Sequence, residues 1–312
     1  MKAARVAIVV ATRDRPRQVD ACLAALAALR PPADEILVVD QSADDGTAAV
    51  VGEHAHLPGM RYLRQRAVGL SRARNLGIAE ATADFVAFTD DDCEAATDFV
   101  RAVTELFQRL PQACLLFGQV EPGPHDETRG LVPSCRRDGE FVARTPADRR
   151  EMGGMGACMA ARRTALVQLG GFDVCLGAGT PFPAAEETDL AARALARGMA
   201  VVETPRVRVI HHGFRTWREL ESLSESYVFG AGAMYGKHMR LWPGLTARLM
   251  LSVFSRWTVA RPRIQYLAKP RRLARLVAFT RGFDRGMRAP LDRERALFLA
   301  CGQWPRSPRA RS

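Results

Sequence analysis

The sequence predicts an α/β fold around a mainly parallel sheet, followed by a basic helical extension, and three observations carry this. Through the first half, short apolar runs alternate with segments of helical periodicity, the pattern of βα units. Acidic and turn-forming residues stand at the carboxyl ends of those runs, where open α/β sheets bind ligands. Basic residues crowd the last quarter: from Lys237 onward there are 18 Lys/Arg against 3 Asp/Glu, so the net charge of +11 belongs to the C-terminal part. The 312 residues can bury a sizeable core, and ordinary apolar and charged fractions exclude disordered, fibrous and multispanning classes.

Val6 to Ala11 is the first strand. Lys2 and Arg5 precede it as in a targeting segment, but the apolar stretch is short and ends in charges, which fits a buried strand better. Asp14 is a candidate cap for a helix near Pro16, whose stripe Val19, Cys22, Leu23, Leu26 and Leu29 faces the sheet. EILVVD (35–40) is a continuous apolar strand ending in an acid; QSADDGT then supplies turn residues before a helix over 47–54. A third unit runs from RYLR through GLSRARNLGIAEA, and FVAFT (85–89) leads into the acidic run Asp90, Asp91, Asp92. Thr97 is placed to cap a helix that presents Phe99, Val100, Val103, Leu106, Phe107 and Leu110, with CLLFGQV (114–120) as the next strand.

Residues 121–150 are rich in Pro, Gly, Arg and Asp without periodicity and predict loops. Within ACMAARRTALVQLGGFD, Gly170 and Gly171 are suited to end a helix in the left-handed conformation. AEETDLAARALARG reads as a helix closed by Gly198, and VRVIHH as a strand. Beyond Thr216 the pattern is helical and basic, with Pro243, Pro262, Pro270 and Pro290 as breaks. Seven cysteines without a CxxC pair predict reduced thiols and a cytoplasmic setting rather than a disulfide framework or zinc site.

Three adjacent carboxylates after a buried strand repel one another unless solvated or neutralised. A Mg²⁺ or Mn²⁺ ion answers this, since it prefers oxygen ligands and shares its shell with substrate phosphates; a solvated acidic turn is the alternative. Asp40 suits a ribose or base contact, or a helix cap. Arg72 and Arg74 suit a phosphate, the ordering of the acidic loop, or surface ion pairs. Glu186, Glu187 and Asp189 open a helix whose dipole stabilises them, and one within reach of an acceptor hydroxyl could serve as general base. His211 and His212 end the last strand as structural residues or as metal or phosphate partners.

The order of these motifs over about residues 5–215 resembles the family 2 glycosyltransferases of GT-A fold, a Rossmann-like mainly parallel sheet flanked by helices. VAIVVATRDRP is similar to their opening strand and turn, EILVVDQSADDGT to their nucleotide-binding unit, and GLSRARNLGIAEATADFVAFTDDDC to the segment that leads to the DxD signature. GGFDVCLGAGTPFPAAEETDLAARALARG resembles the segment bearing the catalytic acid, and VRVIHHG the closing strand. The resemblance implies a catalytic domain over 1–215, with a nucleotide half 1–115 and an acceptor half 116–215, ahead of the basic segment 216–312.

It further implies that Thr12, Arg13, Asp40, Arg72, Asp90 and Asp91 serve the nucleotide-sugar donor, and that Asp92 is the principal ligand of Mg²⁺ or Mn²⁺, with Asp90 and His211 beside it. The family usually has Glu-Asp before the helix; alignment on TDL puts Glu187 where its basic Asp stands, with Glu186 and Asp189 as rivals. Transfer would invert the anomeric configuration, onto a glycan or lipid-linked acceptor of the cell envelope. Nucleotidyl transfer and an inactive nucleotide-sugar-binding module are the alternatives.

In the C-terminal segment, arginines interleaved with Leu, Phe, Trp and Tyr predict amphipathic helices. Arg248 and Arg256 interrupt the apolar stretch 245–259, so it predicts no transmembrane span. Packing on the catalytic domain and docking on the anionic inner face of a membrane are both open, while no nucleic-acid-binding pattern accompanies the charge.

Overall fold

The computed structural model describes residues 4–259 and 272–299; Pro262, Pro270 and Cys301 lie outside the described residues. The chain forms two compact units, one of residues 1–68, 72–171 and 191–215, the other of residues 69–71, 172–190 and 216–312. The second unit thus takes residues 172–190 in addition to the described residues past 215.

The first unit is a mainly parallel α/β sheet. Its alternation runs β1 (Val6–Thr12), α1 (Pro16–Ala27), β2 (Glu35–Asp40), α2 (Gly46–Glu53), β3 (Met60–Arg64), α3 (Leu70–Glu80) and β4 (Phe85–Asp90). Then come β5 (Cys93–Ala95), α4 (Phe99–Arg109), β6 (Ala113–Pro122), the short β7 (Gly130–Leu131), β8 (Phe141–Ala143), β9 (Cys158–Arg162) and α5 (Arg163–Leu169). The last residues, 191–196, of helix α6 (Glu186–Ala196) and the long β10 (Ala200–His211) complete the order. Among the described residues the sheet has nine strands, in the order β3-β2-β1-β4-β9-β6-β10-β5 with β8 also on β10. β3, β2, β1 and β4 are mutually parallel, as are β6 and β10, while β9 runs antiparallel between β4 and β6.

The central parallel strands β1, β2 and β4 are apolar on both faces because helices cover both, and every residue of β2 is buried, whereas β3 at the sheet edge is partly exposed. The predicted stripe of α1 and the Phe99, Val100, Val103, Leu106 and Phe107 face of α4 enter one core with β1, β2 and β4. Each such side chain, fully buried, contributes roughly 1.5–3 kcal/mol.

Local chemistry differs from the sequence prediction at several points. Asp14 does not cap α1: it sits at φ 58°, takes Ser42 Oγ as acceptor of its N–H at 2.7 Å, and accepts the N–H of Ala43. It therefore ties the β1–α1 loop to the β2–α2 loop, and Arg15 occupies the helix N-cap. Asp98 rather than Thr97 stands at the N-cap of α4. The stretch 158–171 divides into β9 and α5, since Cys158, Met159, Ala160 and Ala161, all buried, complete the sheet before the helix begins; the left-handed Gly170 ends that helix as expected. Arg193, fully buried, donates to the carbonyls of Leu169 and Gly171 and so satisfies this helix end.

The second unit contains β11 (Arg215–Thr216) in part, α7 (Trp217–Leu241), α8 (Pro243–Val259), α9 (Arg272–Arg288) and a hairpin of β12 (Leu291–Asp292) and β13 (Leu297–Phe298). Thr216 and Glu219 form a reciprocal capping box for α7. Pro243 starts α8 rather than merely breaking a helix, because its missing N–H costs nothing in a first turn. Helices α7 and α9 cross at glycines. A Cβ on Gly232 or Gly236 would lie 2.3 Å from the carbonyls of Phe279 or Phe283, and one on Gly282 or Gly286 about as near those of Phe229 or Ala233. Bare backbone on both sides is what permits this approach. Cys175 is disulfide-bonded, which corrects the expectation of seven reduced thiols; Cys22, Cys93, Cys114, Cys135 and Cys158 are free.

Candidate active site

The acidic run leaves the carboxyl end of β4, and its three carboxylates have three different environments. Asp90, partly exposed, pairs with the buried guanidinium of Arg74 at 3.3 Å. Asp91 is buried, accepting the Thr12 hydroxyl at 2.7 Å and Arg15 Nη1 at 2.5 Å. Asp92, also buried, pairs through Oδ2 with Arg15 Nη2 at 2.7 Å and through Oδ1 with His211 Nε2 at 3.3 Å. Their repulsion is thus met by two arginines and a histidine from distant parts of the chain.

The pairing of β5 with β10 brings His211 there, since it sets His211 opposite Cys93. His211 Nδ1 donates to the carbonyl of Pro133 at 2.8 Å, which fixes the tautomer and leaves Nε2 facing Asp92. Gly213 is needed for that approach: a Cβ there would lie 2.4 Å from His211 Nε2 and 2.9 Å from Asp92 Oδ2. His212 points elsewhere, pairing with the exposed Glu94 at 3.0 Å.

Burial pushes the Asp91 carboxyl up to about 6, against the opposing pull of Arg15 and the Thr12 hydroxyl. Burial acts the same way on Asp92, but His211 and Arg15 outweigh it and hold that carboxyl well below the usual carboxylate range. In turn Asp92 raises His211 above the ordinary imidazole value, although burial opposes it. Asp92 is therefore held ionised.

Asp92, Cys93 and His211 offer ligand atoms that all lie within 4.8 Å of one another. Asp92 and His211 fit a divalent ion such as Mn²⁺: one contributes oxygen, the other an imidazole whose far nitrogen is anchored by a carbonyl, as in most histidine ligands. Cys93 does not fit a hard ion, because burial, Asp90 and Asp92 push its thiol far up and keep it protonated. Beside the acids a cavity of about 560 Å³ is lined by Arg15, Arg17, Gln18, Asp92, Phe214 and Arg215, among others. That volume suits a small-molecule ligand.

The donor-side candidates are distributed over the same unit. Asp40, fully buried at the end of β2, accepts Ser42 N–H at 2.8 Å, the Ser42 hydroxyl, and the Tyr62 hydroxyl at 2.7 Å. Two carboxylate oxygens have room for further donors, so the turn does not exhaust it. Arg13 pairs with its neighbour Asp14 at the surface. Arg72 is half-buried in α3, and its carbonyl accepts Gln65 Nε2 at 3.4 Å. Arg74, for which the sequence offers three roles, pairs with Asp90, the first acid of the run.

Glu186, Glu187 and Asp189 belong to the second unit. Ala185, at φ 73°, turns the chain into α6. Glu186 is buried with its carboxyl group near Gly177, while Glu187 is partly exposed. Asp189 is fully enclosed: Oδ1 meets Lys237 Nζ at 2.7 Å and His238 Nε2 at 2.8 Å. Lys237, equally enclosed, also meets Asp173 Oδ2 at 2.7 Å, and that oxygen accepts the N–H of Phe298. A carboxylate locked into a buried ion cluster does not reach an incoming hydroxyl, so the geometry withdraws Asp189 as a base and leaves Glu186 and Glu187.

Arg15, Tyr62, Pro133 and Lys237 carry no sequence signal of their own, since each acts through a partner many residues away. The one legible hint was the unbalanced charge of three adjacent acids, which requires cations nearby.

The profile of Glycosyl transferase family 2 matches residues 7–170, more than half of the chain. The chain belongs to glycosyl transferase family 2. The match spans β1 through α5 and therefore includes Thr12, Arg15, Asp40, Arg74 and the acidic run. No curated protein matches the sequence.

Solved structures share the fold of this family 2 member at low identity. TarS of S. aureus has a TM-score of 0.61 at 14% identity, over 82% of this chain and 44% of TarS, so the chain spans less than half of that protein. The 1–349 fragment of TarS has a TM-score of 0.64 at 13% identity, over 91% of this chain and 81% of the fragment. The mannosyltransferase PcManGT from Pyrobaculum calidifontis, solved with GDP-Man and Mn²⁺, has a TM-score of 0.58 at 17% identity, over 92% and 88% of the two chains. They agree on a GT-A sheet flanked by helices.

Proposed function

We propose that this family 2 protein is an inverting, metal-dependent glycosyltransferase that moves a sugar from a nucleotide-sugar donor to an acceptor hydroxyl. The observation that carries the proposal is Asp92, a buried carboxylate kept ionised at the end of a sheet strand and facing an imidazole of fixed tautomer. PcManGT, with its GDP-Man and Mn²⁺, supports both the donor class and the metal. Family membership favours sugar transfer over nucleotidyl transfer.

Asp92 and His211 would hold Mn²⁺ or Mg²⁺, with Asp90 close by in the run. Once bound, the ion supplies charge neutralisation to the departing nucleoside diphosphate. Asp40 and Thr12 orient the nucleoside end of the donor, and Arg72 with Arg13 pairs with its anionic oxygens. Glu187 accepts the proton of the acceptor hydroxyl as that oxygen attacks the anomeric carbon from the face opposite the leaving group. Inversion is the outcome of that single displacement.

Glu187→Gln is expected to lower kcat by about 10²–10⁴-fold while leaving donor Kd unchanged, because only the proton acceptor is lost. Nucleoside diphosphate release measured across a panel of nucleotide sugars with Mn²⁺ checks this, and NMR of the product anomer checks inversion. Retention of configuration would sink the single-displacement reading. Should Glu186→Gln abolish turnover and Glu187→Gln spare it, the base is Glu186.

The acceptor is proposed to be a glycan or a lipid-linked saccharide at an anionic membrane surface. No helix among the described residues is long and apolar enough to cross a membrane. Helix α9 instead exposes Leu273, Leu276, Val277 and Met287, with Arg281 and Arg288 also exposed on it. An apolar stripe beside arginines is suited to lie on anionic lipid. The protein is expected to float with phosphatidylglycerol vesicles at low salt and to remain behind with phosphatidylcholine. Leu273→Glu with Leu276→Glu is expected to abolish flotation, and failure of the wild type to float would remove the membrane from this reading.

A further inference from the structure

Arg15 stands where a metal ion's charge would be felt. Its guanidinium spans two acids, Nη1 on Asp91 Oδ1 at 2.5 Å and Nη2 on Asp92 Oδ2 at 2.7 Å. Because Asp92 Oδ1 faces His211, both oxygens of this carboxylate already have cationic or polar company. A divalent ion that takes Asp92 as ligand meets an internal cation at the same group, and the two repel.

We propose that Arg15 is an exchangeable counter-ion: it neutralises Asp91 and Asp92 in the metal-free enzyme, releases Asp92 when the metal binds, and turns to the donor's anionic diphosphate. The inference rests on the metal reading of the site and adds a residue that reading does not use.

Three features support an exchange rather than a fixed ion pair. The Arg15 side chain is 34% exposed, whereas those of Asp91 and Asp92 are 4% and 6% exposed, so the arginine has freedom the acids lack. The cavity of about 560 Å³ that Arg15 itself lines gives the guanidinium somewhere to go, beside Arg17 and Gln18. When Arg15 leaves, Asp91 keeps its Thr12 hydrogen bond and Asp92 keeps His211, so each carboxylate retains one partner. A planar guanidinium fork also matches a phosphate as well as it matches a carboxylate. Metal and donor would then strengthen each other's binding, because each stabilises the displaced position of one side chain.

The test is Mn²⁺ affinity of the full chain, read from the EPR signal of free Mn²⁺, with and without GDP or UDP as diphosphate probe. Arg15→Gln is expected to bind Mn²⁺ alone about tenfold more tightly than wild type and to lose most of the tightening that the diphosphate gives wild type. Arg15→Lys keeps a charge but cannot span both acids, so its affinity should fall between the two. Thermal melting confirms that each variant is folded; if Arg15→Gln is not, Arg15→Lys decides alone. Affinity in the folded variants equal to or weaker than wild type overturns the exchange while leaving the metal site standing. Absence of Mn²⁺ binding in all three proteins overturns the metal reading and the exchange with it.

Discussion

Asp92→Asn is expected to lower kcat/KM for sugar transfer by about 10³-fold, the largest loss of any single substitution in the acidic run. The change keeps the shape of the side chain and removes the charge that a divalent ion and a developing diphosphate both depend on. Asp92 is singled out because its surroundings are the most specific: it is buried, it faces His211 Nε2 at 3.3 Å, and Gly213 leaves it room. Asp90, half in solvent and held by one arginine, should tolerate the same change with a smaller loss. Release of nucleoside diphosphate under saturating Mn²⁺ measures the effect, and a melting curve separates it from unfolding, since Arg15 loses half of its ion pairing in the variant. Turnover within tenfold of wild type would remove Asp92 as the essential ligand.

Lys237→Met is expected to destabilise the unit that contains it by about 3–5 kcal/mol, because it strips the shared cation from two enclosed carboxylates. Asp173 and Asp189 both meet Lys237 Nζ at 2.7 Å, and all three side chains are 0% exposed. For a chain of this size the loss should lower Tm by on the order of 10 °C. Adding Asp173→Asn and Asp189→Asn is expected to recover much of it, since the penalty lies in the stranded charges rather than in the missing lysine. Differential scanning calorimetry of the single and triple variants checks both statements. A single variant that melts with wild type would mean that water reaches the cluster.

The cluster also shows why part of the site was not legible in the sequence. Asp189 reads as one of three equivalent acids opening a helix, and propensity and dipole arguments treat them alike. What distinguishes it is a lysine on α7, 48 residues further on, that only packing brings to it. The same holds for Arg15, which belongs to a loop in the sequence and to Asp91 and Asp92 in space. Asp14 and Thr97 mislead in the opposite sense: both are good capping residues, and neither occupies a cap, since the adjoining loops place Arg15 and Asp98 there. Short strands such as β5 and β9 escape notice because three to five residues carry little periodic signal.

The sequence by itself determined the α/β order of the first unit, its mainly parallel sheet, the strand ends that bear Asp40 and Asp90 to Asp92, and the basic helical character of the C-terminal segment. These depend on period, turn residues and apolar runs, which are local and survive in one dimension. Only the closed fold brings His211 rather than His212 to face Asp92, and Arg74 rather than Arg72 to pair with Asp90. It alone showed Asp189 locked to Lys237, Cys175 in a disulfide, and glycines holding α7 and α9 together. Each of these joins residues far apart in the chain. Burial, charge pairing and backbone contact between such residues arise only when the fold has closed.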